Sequence, residues 1–579
     1  MKKFTLLLFF LAYLLKNGSS NTALNYKDSL FDIYKSSFTN RLWKMYPEWA
    51  SSIGYHKYDS VLKISNKTTL NNELKFSKTE LAKLNATNYN HLSDLNKIDY
   101  QLIKNFLTES IWQIDTLKEY EWNPALYNIG EPFAYIINEN YSPLKNRMKN
   151  IFIKLKNVPA YYAAAKLAIK NPTSVHLDLA ISQNEGALSV FENDFIDSLN
   201  SLKLNQKLKT SYLIRNNNAI AAIKSYIQFL KNFKNNTPRN FRLGTALYTE
   251  KFNYEMQSSY TVEEIFNAAE KRKEYLHTQM YKIAVQLWSK YYGNKPMPTD
   301  SLMLIKNMID TISIQHVDAK NFKNEIEKQL PELSTFVNTK NLLYLDPTKP
   351  LKVRNEPGYM AGLAGASMSA PGAYEKNGTA YYNVGTLEGW SDEKAESYLK
   401  EYNKYVLKIL NIHEAIPGHY VQLVYSNKAS SIIKSIFQNS TMIEGWAVYS
   451  ELMMLENGYG NNEPEMWLMY YKWNLRSVCN TLLDISVHTK NMSKDEALEL
   501  LTHQAFQQKT EAEGKWHRVQ ISNVQLCCYY TGFKEITDLR DAYKKAEGEN
   551  YQLKKFNEQF LSYGSIPVKY IRNLMLLKK

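Results

Sequence analysis

Helix breakers are scarce in this chain. Only 21 glycines and 17 prolines interrupt its 579 residues. Between them Leu, Lys, Ala and Glu recur in long unbroken stretches, a pattern that favours helices over a sandwich or barrel of short strands. With 44% hydrophobic residues the chain can bury a large core, and its length exceeds the usual single-domain size, so two lobes are expected. The stretch to about Leu243 shows repeated helical periodicity with polar connections such as Asn66-Lys67-Thr68 and Asn235-Asn236-Thr237-Pro238, and no fixed-period repeat. Thr261 stands three residues before Glu264, a capping box. Ile265, Ala269, Leu276, Met280, Ile283 and Leu287 follow near helical spacing, predicting a long amphipathic helix that ends near Tyr292-Gly293. His277 on that helix reads as a surface or packing histidine.

The pattern changes from Leu342 to Val384, where Pro, Gly, Ser and alternating apolar residues replace the helical period. A small β-hairpin or sheet is expected here. Lys376-Asn377-Gly378 is the clearest turn signal, joining Ala373-Tyr374 to Thr379-Ala380-Tyr381-Tyr382. An edge strand beside a cleft can hold an extended peptide by its backbone, with Tyr382 as a substrate-binding candidate; a purely structural hairpin reads equally well.

The net charge of +14 suggests nucleic acid at first sight. The lysines, however, are scattered singly among Asn, Tyr and Glu and form no stripe on a helix face, so no nucleic-acid partner is expected. Cys479, Cys527 and Cys528 offer neither a disulfide framework nor a metal-binding spacing and read as buried apolar residues. The opening MKKFTLLLFFLAYLLKNGSS has two lysines, an apolar run from Phe4 to Leu15 and small polar residues after it. This predicts a signal peptide over 1–20 and an exported, periplasmic or secreted protein. A permanent N-terminal anchor is the alternative, but the run is shorter than the roughly 20 residues that span a bilayer.

The most informative segment lies on a helix after Ser391: Ile412-His413-Glu414-Ala415-Ile416-Pro417-Gly418-His419. In the zinc-peptidase pattern His-Glu-x-x-His, two histidines one helical turn apart bind the metal and the Glu activates water. Here they are six apart. At about 100° per residue that leaves them roughly 120° apart around a regular helix, too far to converge on one ion. Pro417 lacks a backbone N–H and clashes with the carbonyl of His413, and Gly418 tolerates unusual dihedrals. A distortion at Ala415 to Gly418 is therefore predicted, returning His419 to the side of His413. Glu444, opening Glu444-Gly445-Trp446-Ala447-Val448-Tyr449 on the next helix, is the candidate third ligand. Glu451 and Glu456 lie farther along, and either could orient a ligand imidazole from behind.

These segments resemble the hallmark of a large bacterial family of exported proteins described as a domain of unknown function, in which HEAIPGH is followed by EGWA. Further matching pieces are Glu401-Tyr402-Asn403, Gln422, Tyr449, Glu451, Arg476, Asp484 with His488, Arg518, and Gln525 through Tyr529 to Gly532. The resemblance implies a mainly α, gluzincin-like zinc metallopeptidase fold with a deep cleft, its N-terminal helical lobe over 21–250 and its catalytic lobe over 251–579. It implies His413, His419 and Glu444 as Zn2+ ligands and Glu414 as the base. Across the cleft it implies Tyr529 and His488 at the oxyanion, Arg518 at a substrate carboxylate and Gln525 beside it. Structural roles stay open for three of these: His488 paired to Asp484, Arg518 bridged to Glu513 or Glu511, and Tyr529 in the core. Where relatives carry Pro-Gly before the glutamine and Tyr after the arginine, this chain has Asn523-Val524 and Val519, which puts the local loop shape in question.

The expected reaction is zinc-dependent hydrolysis of short peptides, of carboxypeptidase or oligopeptidase type. One alternative is an exported helical binding protein for peptide or glycan with a vestigial metal site. Another keeps the metal and cleaves a different amide or ester. Glu414 beside His413 argues for an enzyme, since a binder needs no general base. Sequence leaves the oligomeric state and the choice between exo- and endopeptidase open.

Overall fold

The computed structural model describes residues 28–356, 366–375 and 378–576. The signal segment and the turn residues Lys376 and Asn377 lie outside the described residues. The fold is mainly helical, as the scarcity of breakers predicts, and polar side chains mark many helix starts. Thr261 Oγ1 accepts the Glu264 amide at 3.2 Å and Glu264 Oε2 accepts the Thr261 amide at 2.8 Å. That reciprocal cap opens the helix Val262–Tyr292, and Gly293, at φ 63°, closes it. Its buried stripe is Ile265, Ala269, Leu276, Met280, Ala284, Leu287 and Trp288, and Ile283 is only partly covered. The stripe packs along the helix Pro464–Thr489, nearly every residue of which is buried. His277 bonds the Gln504 carbonyl at 2.7 Å and packs edge-on against Phe506.

Among the described residues two hydrophobic clusters form. The smaller takes Leu62 and residues from Tyr127 to Leu230. The larger combines residues from Phe31 to Trp122 with residues from Leu243 to Met575 and encloses the helices that carry the site. All three cysteines are free and buried within it. Among the described residues no helix is long and apolar enough to cross a membrane.

Among the described residues near 342–384 the sheet has three strands: β1 (Leu351–Asn355), β2 (Ala366–Ser369) and β3 (Ala380–Val384). β3 is central, parallel to β1 and antiparallel to β2, with Tyr382 opposite both Val353 and Met368. The expected hairpin partner is thus corrected: β3 pairs with 366–369, and Ala373-Tyr374 forms a turn. The reason is where the backbone of that turn is used. Tyr374 N donates to the Ile53 carbonyl at 3.1 Å, and a Cβ on Gly372 would stand 2.2 Å from the carbonyl carbon of Ile53. Groups committed there are not available to a strand ladder. Tyr382, fully enclosed, gives its hydroxyl to Asn411 Oδ1 at 2.9 Å, and Asn411 Nδ2 donates to Gln329 Oε1 at 2.7 Å. The sheet so braces the helix that carries His413.

Candidate metal centre

Asn403 starts that helix, its Oδ1 accepting the amides of Tyr405 and Val406 at 3.1 and 3.3 Å. It runs Lys404–Glu414 and stops. Ala415 leaves helical geometry at φ −115°, ψ −82°, and a new helix, His419–Ser426, begins at once. The Gly418 amide donates to the Ile412 carbonyl at 2.9 Å. A Cβ on Gly418 would stand 1.9 Å from the His413 carbonyl oxygen, so only glycine fits as the chain crosses back over its own helix end. Trp446 Nε1 donates to the Pro417 carbonyl at 2.9 Å and pins the crossing to the neighbouring helix. The distortion predicted from the six-residue spacing is present, and the imidazole centroids of His413 and His419 lie 4.7 Å apart.

Glu444 arrives from the helix Ser440–Glu456. Its approach depends on the two glycines where this helix crosses Cys528–Glu547. A Cβ on Gly445 would stand 2.4 Å from Gly532 Cα, and one on Gly532 would stand 1.8 Å from the Thr441 carbonyl oxygen. The backbones therefore touch, and Glu444 and Tyr529 come to neighbouring positions.

Glu444 Oε2 lies 3.3 Å from His419 Nε2 and 3.6 Å from His413 Nε2. One ligand atom from each of the three residues falls within 4.8 Å of the others. Tetrahedral zinc with N and O ligands at about 2.0–2.1 Å needs ligand atoms roughly 3.3–3.4 Å apart. The three residues fit such an ion on chemistry as well. Behind His413, Nδ1 meets Glu451 Oε1 at 2.7 Å, which turns the lone pair of Nε2 inward. Glu451, wholly buried, also accepts Trp473 Nε1 at 3.1 Å. Glu444 Oε2 is buried and, apart from the two imidazoles that face it, has no hydrogen-bond partner among the described residues. Burial acts against charge on His413, but Glu444 and Glu451 outweigh it and lift the imidazole to about 10. Burial likewise raises Glu444, yet His419 and His413 overcome it and hold the carboxyl well below the usual range. Protons and a divalent cation compete for the same lone pairs in a cluster of this kind.

Glu414 stands beside the three without joining them. It makes no ion pair with either imidazole among the described residues, and burial, opposed by His419 and His413, pushes its carboxyl up. Glu456, the other candidate for orienting an imidazole, instead pairs with Arg540 at 2.6 Å.

Arg518, Tyr529 and Gln525 form a second group. Arg518 Nη2 donates to Gln525 Oε1 at 2.8 Å and to the Tyr529 hydroxyl at 3.3 Å. Burial and the nearby Glu444 raise the Tyr529 phenol. Two expected site residues stand elsewhere. His488, expected at the oxyanion, is buried with Nε2 on the carbonyls of Val519 and Ser522 at 2.9 and 3.2 Å. Tyr382, expected to meet substrate, is spent on Asn411 behind the site helix. Asp484 organises the loop whose shape the sequence left in question, accepting the Val524 and Leu526 amides at 2.9 and 3.1 Å. That carboxylate holds Val524 at φ 72°, a region costly for a β-branched residue. Trp473 escaped the sequence reading, because it acts through packing between helices and no local spacing announces it, whereas Trp446 stood in the quoted EGWA run without a role of its own.

The sequence profile of the DUF885 family, described as "Bacterial protein of unknown function", matches residues 47–575. A solved structure from Shewanella oneidensis, described as a "putative lipoprotein of unknown function", is 47% identical, covers 94% of this chain and 99% of its own, and superposes with a TM-score of 0.84. A second, the "putative lipoprotein" from Colwellia psychrerythraea, is 17% identical over 96% of this chain and 100% of its own, with a TM-score of 0.75, a likeness of fold alone. No curated protein matches the chain.

Proposed function

The chain belongs to the DUF885 family of bacterial proteins of unknown function, and we propose that this member is an exported zinc-dependent peptidase acting on short peptides, gluzincin-like in its site. The observation that carries the reading is the division of labour among four side chains. Three converge within 4.8 Å, and the fourth, Glu414, is held next to them and outside the ligand set. A protein that only bound peptide would have no use for that fourth carboxylate. Export is taken from the apolar N-terminal run and from the description of the 47%-identical structure as a "putative lipoprotein of unknown function".

A zinc ion on His413, His419 and Glu444 would supply the Lewis acidity that polarises a scissile carbonyl and acidifies a water beside it. Glu414 takes the proton of that water on its carboxylate and returns it to the leaving nitrogen. Tyr529, with Arg518 behind its oxygen, offers a donor to the oxygen on which negative charge develops. Glu451 and Trp473 keep His413 in the tautomer that presents Nε2. The test is elemental analysis of the purified protein followed by a peptide-library digest read by mass spectrometry. We expect one zinc per chain, with cleavage lost to a chelator and restored by zinc. Cleavage indifferent to chelation would sink the reading.

A further inference from the structure

Beside the candidate metal centre lies a group of cations with too few carboxylates. Lys472 Nζ pairs with Glu401 at 2.7 Å and Arg476 Nη2 with Glu511 at 2.5 Å. Among the described residues Lys515 and Arg518 have no carboxylate within ion-pair distance. Lys515 is 4% exposed, and its ammonium makes no hydrogen bond or ion pair among the described residues. The Arg518 side chain bonds the neutral Gln525 and Tyr529 and no carboxylate among the described residues. Arg476 Nη1 is buried with no hydrogen-bond partner among the described residues, its charge partner Glu401 standing off at 3.9 Å. Of the nitrogens left unmet here, Arg476 Nη1 is the one sealed from solvent among the described residues, and a buried donor left unmet is costly.

Their placement ties them to the metal centre by two routes. Arg476 lies 5.0 Å over the ring of Trp473, whose N–H goes to the Glu451 that holds His413. Arg518 bonds Tyr529, which sits in the field of Glu444. Burial, with Arg476 and Arg518 adding repulsion that Glu511 and Glu401 only partly offset, pushes the Lys515 ammonium well below the ordinary lysine range. An anion arriving among the three relieves that repulsion and meets the unmet donors together.

We propose that Arg476, Lys515 and Arg518 form a subsite for the free α-carboxylate of a peptide, so that the protein trims peptides from their carboxyl end. The anion site stands on these donors alone; that the carboxylate belongs to a peptide whose bond lies at the metal rests on the peptidase reading. Arg476 and Arg518 supply planar forks suited to carboxylate, and Lys515 a point charge.

Calorimetric titration of the mature protein in chelator, with N-acetyl-trialanine as free acid and as amide, tests the subsite without the metal. The acid should bind about tenfold or more tightly than the amide, the worth of one charge-assisted hydrogen bond or more. In Lys515→Met, a near-isosteric apolar change, and independently in Arg518→Gln, the acid-to-amide ratio should fall towards one. Equal binding of acid and amide by the parent protein overturns the subsite. An acetylated peptide amide with a central glutamate that binds as tightly as the free acid overturns the assignment to the α-carboxylate. Acid-selective binding without zinc-dependent cleavage upholds the subsite and removes the peptidase. Cleavage of acid and amide at one rate upholds the peptidase and removes the subsite.

Discussion

At the scale of single residues, the site separates ligands from base, and that separation can be read out. Glu414→Gln keeps shape and removes the proton acceptor, so zinc content should persist while turnover falls by about 10²-fold or more. His413→Ala should lose both. A Gln variant that cleaves at the parent rate would show that Glu414 is not the base. Glu451 makes a finer case, because among the described residues its hydrogen bonds go to the far side of His413 and to the Trp473 indole. Glu451→Ala should weaken zinc by about 10–100-fold, measured by competition with a chromophoric chelator; unchanged affinity would remove it from the site's support. Much of this was legible in one segment. The six-residue spacing, Pro417 and Gly418 together require a broken helix, and a broken helix is what lets two imidazoles face one carboxylate. His488 and Tyr382 were misplaced for a shared reason. Polar residues on buried helices and strands look alike in sequence whether they face a site or a backbone carbonyl, and only packing decides between the two.

At the scale of elements, glycines decide how closely the site helices approach. Gly445 and Gly532 sit where Ser440–Glu456 and Cys528–Glu547 touch, with no room for a methyl group on either. Gly445→Ala should cost about 1–3 kcal/mol by overpacking and should also lower zinc affinity, since Glu444 is adjacent and moves with the backbone. Gly514 is the contrasting case. It lies inside the helix Lys509–Ile521 with nothing within 4 Å of a would-be Cβ, so Gly514→Ala should stabilise by roughly 0.5–1 kcal/mol. Urea denaturation of both variants checks the opposite signs; two shifts in one direction would refute the helix-crossing argument. The glycines at the crossing were visible as residues, but not as a contact, because the two partners are 87 positions apart. The long helix from Val262 was legible because its cap and stripe are local. The partner of β3 was not, because the turn signal at 376–378 marks a reversal without saying which upstream segment has backbone groups left to pair.

At the scale of the whole molecule, one cluster joins parts of the chain far apart in sequence and makes stability depend on pH. His56 Nδ1 faces Asp59 at 3.2 Å and Nε2 faces Glu375 at 3.7 Å, and its ring stacks 3.5 Å from that of Tyr141. Asp59 also accepts Ser51 Oγ and the Tyr141 hydroxyl, both at 2.6 Å, and Glu375 accepts the Gly372 amide at 2.8 Å and the Tyr135 hydroxyl at 3.2 Å. Residues near 51–59, 135–141 and 372–375 are thereby clamped together. Burial opposes the charge on His56, but Asp59 and Glu375 prevail and raise it from 6.5 to about 9. Both carboxyls are lowered, burial being outweighed by His56 and their hydrogen bonds. A group whose pKa is higher in the folded state binds its proton more tightly there, so the His56 contribution is complete below about 6.5 and disappears as pH rises through about 9. The carboxyls work in the opposite sense: theirs is present above the usual carboxylate range and is lost as pH falls below that range through their lowered values. Unfolding free energy should therefore drop between pH 7 and 10 by roughly 1–3 kcal/mol more in the parent than in His56→Gln. Urea titrations of both proteins at those two pH values measure that difference, and parallel losses would mean that the clamp carries no charge in the folded protein.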